Sequence, residues 1–476
     1  MYPTHPLIIS YHATRMTSDS SPSPAVIEAA PIHSPEASII DTVQSLIIAF
    51  VLAMTFRGFV TEGFVIPTGS MAPTLLGAHL LIHSDQTGST GAVGLDQTGK
   101  AKPQLDRLID PALGHKYQGS GPNAADFRAT PRMGDRILVL KCLYPFFEPK
   151  RFDVVVFKNP TDPVGEAANY IKRLIGLPNE HIWLADGDVF TRPADGSGEF
   201  RVQRKPEHIQ RAVWQNVFDS DLIPLDPERL NERMRNRYKG PPWSPRDGDW
   251  HIVGQREWQC DHARPTSITW DEGVRAIDDW TPYNMLGYSP VPLPVSDVRV
   301  SGAITASQQG LISTFELETR GHIFQWIVGD GKAIVRMRLA DREGDWTQRE
   351  AAISLPGPGR PMEVEFWHCD QALRLFINGR EVLEPLPYDW TPTRRLQLAT
   401  GDSESDDIDD LIDSSPLAPR MRWTFEGSPL SLQRVRVDRD LHYRHDMLDP
   451  WRQQKNQPHV SGRAFGTHPE ENPAVL

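Results

Sequence analysis

The chain has 476 residues, a hydrophobic fraction of 39% and a formal net charge of −12 at pH 7. At about 150 residues per domain it holds two to four domains, and its acidic balance, with no concentrated basic stripe, excludes a nucleic-acid binder, which needs cationic surface to displace counterions. Its three cysteines, Cys142, Cys260 and Cys369, are far apart and odd in number, so they form neither a disulfide framework nor a zinc site.

Residues 1–37 are rich in Ser, Pro, Thr and His, with Arg15 as their one strong cation, and read as a disordered tail. From Thr42 to Phe56 there is no charge, and the run Leu46-Ile47-Ile48-Ala49-Phe50-Val51-Leu52-Ala53-Met54 is continuously apolar. Extended over Ile39–Val60, this segment reaches the roughly 20 residues that cross a bilayer, so 38–60 is expected to be a transmembrane helix. The plain alternative is a buried core helix. A cleaved signal peptide does not fit, because no basic region precedes the run and no small-x-small site follows it. Arg15 and Arg57, the flanking cations, do not orient the segment.

Next comes Gly63–Leu76, GFVIPTGSMAPTLL. An apolar strand-like run leads into Thr68-Gly69-Ser70-Met71-Ala72-Pro73-Thr74, where the backbone must turn and can leave the Ser70 hydroxyl exposed. Most serines beside glycine are only turn residues. Residues 77–131, with many Gly, Thr, Asp and Gln and no sustained period, read as a loop insertion. From Asp135 the pattern becomes short β-rich runs: Ile137–Leu140, Val154–Phe157, Tyr170–Ile175 and Ile182–Leu184. Turns such as Asn159-Pro160-Thr161-Asp162-Pro163 separate them, which predicts a mainly β domain.

Within that domain Lys172 stands in an apolar strand-like segment ahead of a Gly176-Leu177-Pro178 turn. Alternation puts Tyr170, Lys172 and Leu174 on one face and Ile171, Arg173 and Ile175 on the other. Lys172 then has apolar neighbours, and desolvation can lower a lysine pKa enough to make it a base. The bland reading is a lysine reaching into solvent from a sheet edge. Lys141 and Lys158 are rivals by composition, although Lys158 precedes an Asn-Pro turn.

Residues 191–295 carry many Trp, Pro and Arg without a clear period and read as irregular, with the turn-rich Lys239-Gly240-Pro241-Pro242-Trp243-Ser244-Pro245 among them. Val298–Leu398 alternates regularly, as in Phe315-Glu316-Leu317-Glu318-Thr319 and Ile334-Val335-Arg336-Met337-Arg338-Leu339. With its Asn378-Gly379 turn it predicts an antiparallel β-sandwich over 296–440, followed by a C-terminal segment 441–476. Val364–Asp370 and Leu373–Gly379 resemble the strand pair of concanavalin-like or laminin-G-like jelly rolls, which supports a fold more than a ligand.

Ser70-Met71-Ala72-Pro73-Thr74-Leu75, Gly134-Asp135-Arg136-Ile137-Leu138-Val139, and Arg151–Phe157 followed by Tyr170-Ile171-Lys172-Arg173 and Gly176-Leu177-Pro178 form three ordered boxes. Over roughly residues 40–190 the chain resembles a bacterial type I signal peptidase, the membrane-bound serine/lysine protease that removes signal peptides from exported proteins. The resemblance implies one N-terminal transmembrane helix, then a signal-peptidase-type β catalytic core over 61–190, carrying the sandwich as an insertion. It implies a single-pass protein of the bacterial inner membrane with its catalytic domain on the extracytoplasmic side. It selects Ser70 as nucleophile and Lys172 as general base. The oxyanion donors it implies are the Ser70 N–H and the Thr68 hydroxyl, with Phe64, Val65 and Ile66 lining a groove where the extended peptide adds as a strand. The implied partners are signal-peptide-bearing preproteins and membrane lipid, with no cofactor and no metal. Ser70 follows Phe56 by 14 residues (70 − 56), which would hold it near the bilayer.

The family's last box, Gly-Asp-Asn followed by serine and Asp-Ser-Arg, has no counterpart. The nearest string, Gly401-Asp402-Ser403-Glu404-Ser405-Asp406, opens an acidic Ser-rich stretch that reads as a solvated loop. A truncated chain is the simplest expectation. It leaves as alternative a catalytically inactive relative whose sandwich binds carbohydrate or protein at the cell surface. A metal-dependent hydrolase using His368, Asp370 or the Asp406–Asp413 acids fits poorly, because their spacing matches no ligand set and calcium there is a guess.

Overall fold

The structure, a computed structural model, describes residues 35–66, 68–95, 110–113, 127–158, 169–224, 226–230, 232–236, 238–245, 250–254, 256–284, 291–342, 344–402, 405 and 407–444. The expected N-terminal tail falls almost wholly outside these residues, as do the Asn159–Pro163 turn and most of 441–476. The chain forms two units, 1–61 and 62–476.

In the first unit helix α1 (Pro35–Thr55) runs on as a wider helical turn through Val60. Ile39–Val60, 22 residues of mean hydropathy 2.0, is long and apolar enough to cross a membrane, and none of it is buried. A core helix of this length would bury at least one face.

The second unit begins with strands β1 (Thr61–Val65), β2 (His79–Ser84), β3 (Thr90–Gly94), β4 (Phe127–Arg132), β5 (Arg136–Leu140), β6 (Val154–Lys158), β7 (Asn169–Arg173), β8 (Glu180–Ala185), β9 (Asp188–Pro193) and β10 (Arg201–Val202). They make small antiparallel sheets, β1-β5, β3-β2-β4, β6-β7 and β10-β9-β8. The stretch 77–131, expected to be a loop insertion, therefore contributes three paired strands. Its glycines hide the pattern, since β3 is Thr-Gly-Ala-Val-Gly and only Val93 of that strand reaches the small core with Leu80 and Ile82.

Helix α2 (Glu207–Val213) leads to β11 (Gln215–Asp219), and then β12 (Trp243–Pro245), β13 (Trp250–Val253), β14 (Glu257–Cys260) and β15 (Thr266–Trp270). Strands β16 (Val298–Ala306), β17 (Ile312–Thr319), β18 (His322–Gly329), β19 (Lys332–Leu339), β20 (Thr347–Ala352), β21 (Pro361–Cys369) and β22 (Ala372–Ile377) follow. The last long pair, β23 (Arg420–Glu426) and β24 (Leu430–Arg439), closes two facing sheets. One runs β13-β14-β24-β16-β21-β22 and the other β12-β15-β23-β17-β18-β19-β20. The fold is thus mainly β, an antiparallel sandwich joined to small β sheets after one apolar helix. Alternation explains the sandwich: every second residue of β17 is buried, Phe315 and Leu317 among them, and β18 follows the same pattern with Phe324 and Trp326. Trp243, Trp258, Trp326 and Trp423 fill the space between the sheets. The Asn378-Gly379 turn has positive φ at both residues, 49° and 75°, as a two-residue hairpin requires.

The stretch expected to be irregular, 191–295, is corrected in the same way, because β12 to β15 belong to the sandwich. They are short and find their partners far along the chain, Cys260 opposite Leu430 and Thr266 opposite Phe425. Local periodicity carries no trace of such pairing.

A buried polar network ties the β8–β9 turn to the sandwich and to helix α3 (Pro392–Thr400). Arg320 donates to both carboxylate oxygens of Asp186 at 2.8 Å, and Arg395 forms an ion pair with Asp186 at 2.7 Å and donates to Asp297 at 2.9 Å. Lys205 pairs with Asp370 and, at 2.8 Å, with Asp440. Asp188, Asp297 and Asp370 converge closely enough to suggest a metal site. The residues do not fit one: Asp297 accepts from Arg395, Ser296 and the Asp370 N–H, and Asp370 accepts from Lys205. Lys205 and Arg395 already supply the positive charge at Asp370 and Asp297, and Arg395 lies 3.7 Å from Asp188. His368 of the expected metal alternative bonds the Tyr388 hydroxyl (2.7 Å) and the Ser296 carbonyl (2.9 Å).

Burial pushes both His368 and His442 down to about 4, below the 6.5 of a free imidazole. Each is therefore neutral when folded, while the unfolded chain takes up protons first. Stability from this source is complete above pH 6.5 and is lost as pH falls toward 4, by on the order of 3 kcal/mol per histidine. Urea unfolding followed from neutral pH to pH 4 is expected to show this fall, with a shallower slope in His368→Gln. An equal slope in the variant contradicts the assignment.

Candidate active site

The sequence Gly63–Leu76 crosses from β1 into the loop that bears Ser70, and Asp135 holds both ends of that loop. Ile66 N–H donates to the Asp135 carbonyl (2.9 Å), Asp135 N–H donates to the Leu76 carbonyl (2.9 Å), and Leu76 N–H donates to the Asp135 carboxylate (2.7 Å). Gly134 lies so close to the Ile66 carbonyl that any Cβ there would collide with its oxygen. This accounts for the Gly-Asp pair in the second box. Inside the loop Ala72 N–H donates to the Gly69 carbonyl (2.9 Å) and Leu75 N–H to the Met71 carbonyl (3.0 Å). The coil buries Met71 and leaves Ser70 exposed.

Lys172 enters from β7, where it stands opposite Val155 of β6. Three consecutive valines, Val154–Val156, favour this extended pairing. Beyond β7, Leu174 N–H donates to the Asp153 carbonyl (2.8 Å) and Arg173 donates to the Phe152 carbonyl (2.9 Å). Arg173 and Asp153 hold strands together, as expected. The Lys172 ammonium donates to Ser70 Oγ at 2.5 Å and to the Ile171 carbonyl at 3.0 Å, and lies 5.7 Å from the Tyr170 ring centre. Desolvation by burial lowers its pKa below 10.5. A hydroxyl and a lysine so placed can exchange a proton, the step a serine nucleophile needs.

Thr68 sits two residues before Ser70, half-buried, and the Cβ position of Gly77 falls 2.5 Å from its carbonyl carbon. Of the three groove candidates, the structure separates one from the others. Phe64 lines a groove of about 760 Å³ with Leu75, Ile137, Val139, Val156 and Ile171. Val65 is 48% exposed and outside that lining, and Ile66 is buried beneath the loop. Strand alternation turns Val65 away from Phe64, and the Asp135 clamp draws Ile66 inward. The Gly401-Asp402 string ends α3, Gly401 being its left-handed cap at φ 80°. Asp135 is marked in sequence only by its box, and its clamp on the serine loop is visible only in the fold.

The signal peptidase, peptidase S26, family pattern matches residues 120–212, which include Lys172 and exclude Ser70. A signal peptidase I of Pseudomonas fluorescens is 24% identical over 283 residues, covering 58% of this chain and 76% of that protein. A signal peptidase I of Rickettsia canadensis is 29% identical over 29% of this chain and 38% of its own length. A probable signal peptidase I-2 of Synechocystis is 25% identical over 33% and 47%. The chain thus spans less than half the length of the latter two. Among solved structures, a carbohydrate-binding module, CBM66, of Bacillus subtilis is 10% identical over 42% of this chain and 97% of its own, with a TM-score of 0.24.

Over the matched residues the chain is similar to type I signal peptidases, at low identity and over part of its length.

Proposed function

We propose that this chain is a membrane-bound serine endopeptidase that cleaves N-terminal signal peptides from exported preproteins. The 2.5 Å contact of the Lys172 amine with Ser70 Oγ carries the reading. Neutral Lys172 takes the Ser70 proton as Oγ attacks the scissile carbonyl, and the resulting ammonium returns it to the departing amine. Water then attacks the acyl ester, with Lys172 again accepting a proton and Ser70 regaining one. The Ser70 N–H and the Thr68 hydroxyl stabilise the oxyanion.

The groove beside Phe64 suits an extended apolar peptide with small side chains before the cut. Around it Leu138, Leu140, Phe146 and Phe147 are 69%, 52%, 78% and 65% exposed, an apolar surface that supports contact with membrane lipid. With the apolar helix at 39–60, this supports membrane anchoring, and on the signal peptidase likeness we place the protein in the bacterial cytoplasmic membrane with its catalytic domain on the extracytoplasmic side.

The test is cleavage of a preprotein reporter by the full chain in detergent micelles, with the new N-terminus sequenced. Ser70→Ala is expected to give no product above background. Specific cleavage by Ser70→Ala overturns the reading.

A further inference from the structure

Tyr283 belongs to a short helical turn, Pro282–Asn284, in the stretch between β15 and β16. It lies outside the matched residues 120–212. Its ring rests on two glycines. A Cβ on Gly69 would lie 2.5 Å from the Tyr283 hydroxyl oxygen and 2.6 Å from Cζ, and one on Gly94 would lie 2.5 Å from Cε1 and 2.8 Å from Cζ. No side chain fits at such distances, so the ring can approach only because both positions lack one. The Gly77 backbone lies close enough to the hydroxyl to favour its ionised form, while burial, the larger effect, raises the phenol above its usual range. Gly77 in turn backs the Thr68–Gly69 peptide, whose atoms lie 2.5 to 2.9 Å from its Cβ position. One side chain thus touches the residue before the nucleophile and the residue that supports the peptide behind it.

The other end of this stretch is fixed to the sandwich. Buried Arg439 of β24 donates to the carbonyls of Asp279 (2.9 Å) and Trp280 (3.2 Å), and Val295 N–H donates to the Ile277 carbonyl (3.0 Å). Arg444 bonds the Asp279 carboxylate at 2.9 Å.

We propose that Tyr283 is a positioning residue for Ser70, a brace by which the inserted sandwich holds the serine loop in its reactive shape. The inference rests on Ser70 being the nucleophile. It makes the insertion part of the catalytic apparatus through contact with the loop rather than with the substrate.

The test uses the full chain in micelles with the preprotein reporter. Tyr283→Ala is expected to lower kcat about 100-fold, the scale of a misplaced reacting group, with KM changed by less than about two-fold. Tyr283→Phe keeps the ring and is expected to recover most of the rate. The pH inflection of cleavage stays where it is, because Tyr283 does not touch Lys172. Gly69→Ala is expected to lose activity by collision with the ring, and Gly69→Ala with Tyr283→Ala to lose less than the product of the two single losses. Where Tyr283→Ala does not fold, Tyr283→Leu takes its place in the same cycle. A wild-type kcat in the Tyr283 variant, a loss confined to KM, or multiplicative losses in the cycle overturns the brace alone. Cleavage by Ser70→Ala overturns instead the nucleophile reading on which it stands.

Discussion

Lys172→Ala is expected to lower kcat for preprotein cleavage by at least about 10⁴-fold, and the double variant with Ser70→Ala to be no worse than either single one. The pair acts as a unit: a serine without its base holds its proton, and a base without the serine has nothing to activate. Lys172→Arg is not expected to rescue, because a guanidinium stays charged throughout the working range and accepts no proton. The measurement is single-turnover cleavage under saturating enzyme. Independent, multiplicative losses in the double variant would show that the two residues do not share a step.

Arg395→Ala is expected to destabilise the protein by about 3–5 kcal/mol, the cost of leaving a buried charge without its partner. Arg395 is fully buried and serves Asp186 and Asp297 together. Its loss leaves Asp297 buried without a guanidinium and Asp186 with Arg320 alone. Urea unfolding at neutral pH reads the change directly, and a loss below about 1 kcal/mol would show that the network is solvated or already neutral. Replacement by a packed apolar side chain is not expected to be neutral here, since Arg320 pairs with Asp186 and leaves Asp297 without a guanidinium.

What the sequence disclosed follows from the range of the interactions. Local pattern does not separate Ser70 from other turn serines or Lys172 from Lys141 and Lys158; the family resemblance singles out the two, and the structure brings their side chains to 2.5 Å. β17 and β18 were legible because a half-buried strand writes a period of two into its residues. β2 to β4 were not, because glycines in β3 erase that period and the β2–β4 pairing links His79 to Arg132. β12 to β15 were not, because strands of three to five residues write little period and β14 and β15 are fixed by partners far along the chain. The polar network left no signal either: Asp186 precedes a glycine, as turn residues often do, and meets Arg320 only across 134 residues. Ile66 has the apolar character a groove needs, while its position is set by the hydrogen bond its backbone gives to Asp135. Tyr283 was invisible for the same reason, since its meaning lies in the two glycines beneath it.

The pH dependence of kcat/KM for preprotein cleavage tests the Ser70–Lys172 pair most directly. Because desolvation lowers the Lys172 pKa, the neutral amine is reached below pH 10.5, and the rate is expected to rise along a single ionisation with its inflection below that value. The inflection should vanish in Lys172→Ala. A profile that is flat, or that keeps the same inflection in the variant, would contradict Lys172 as the base for Ser70.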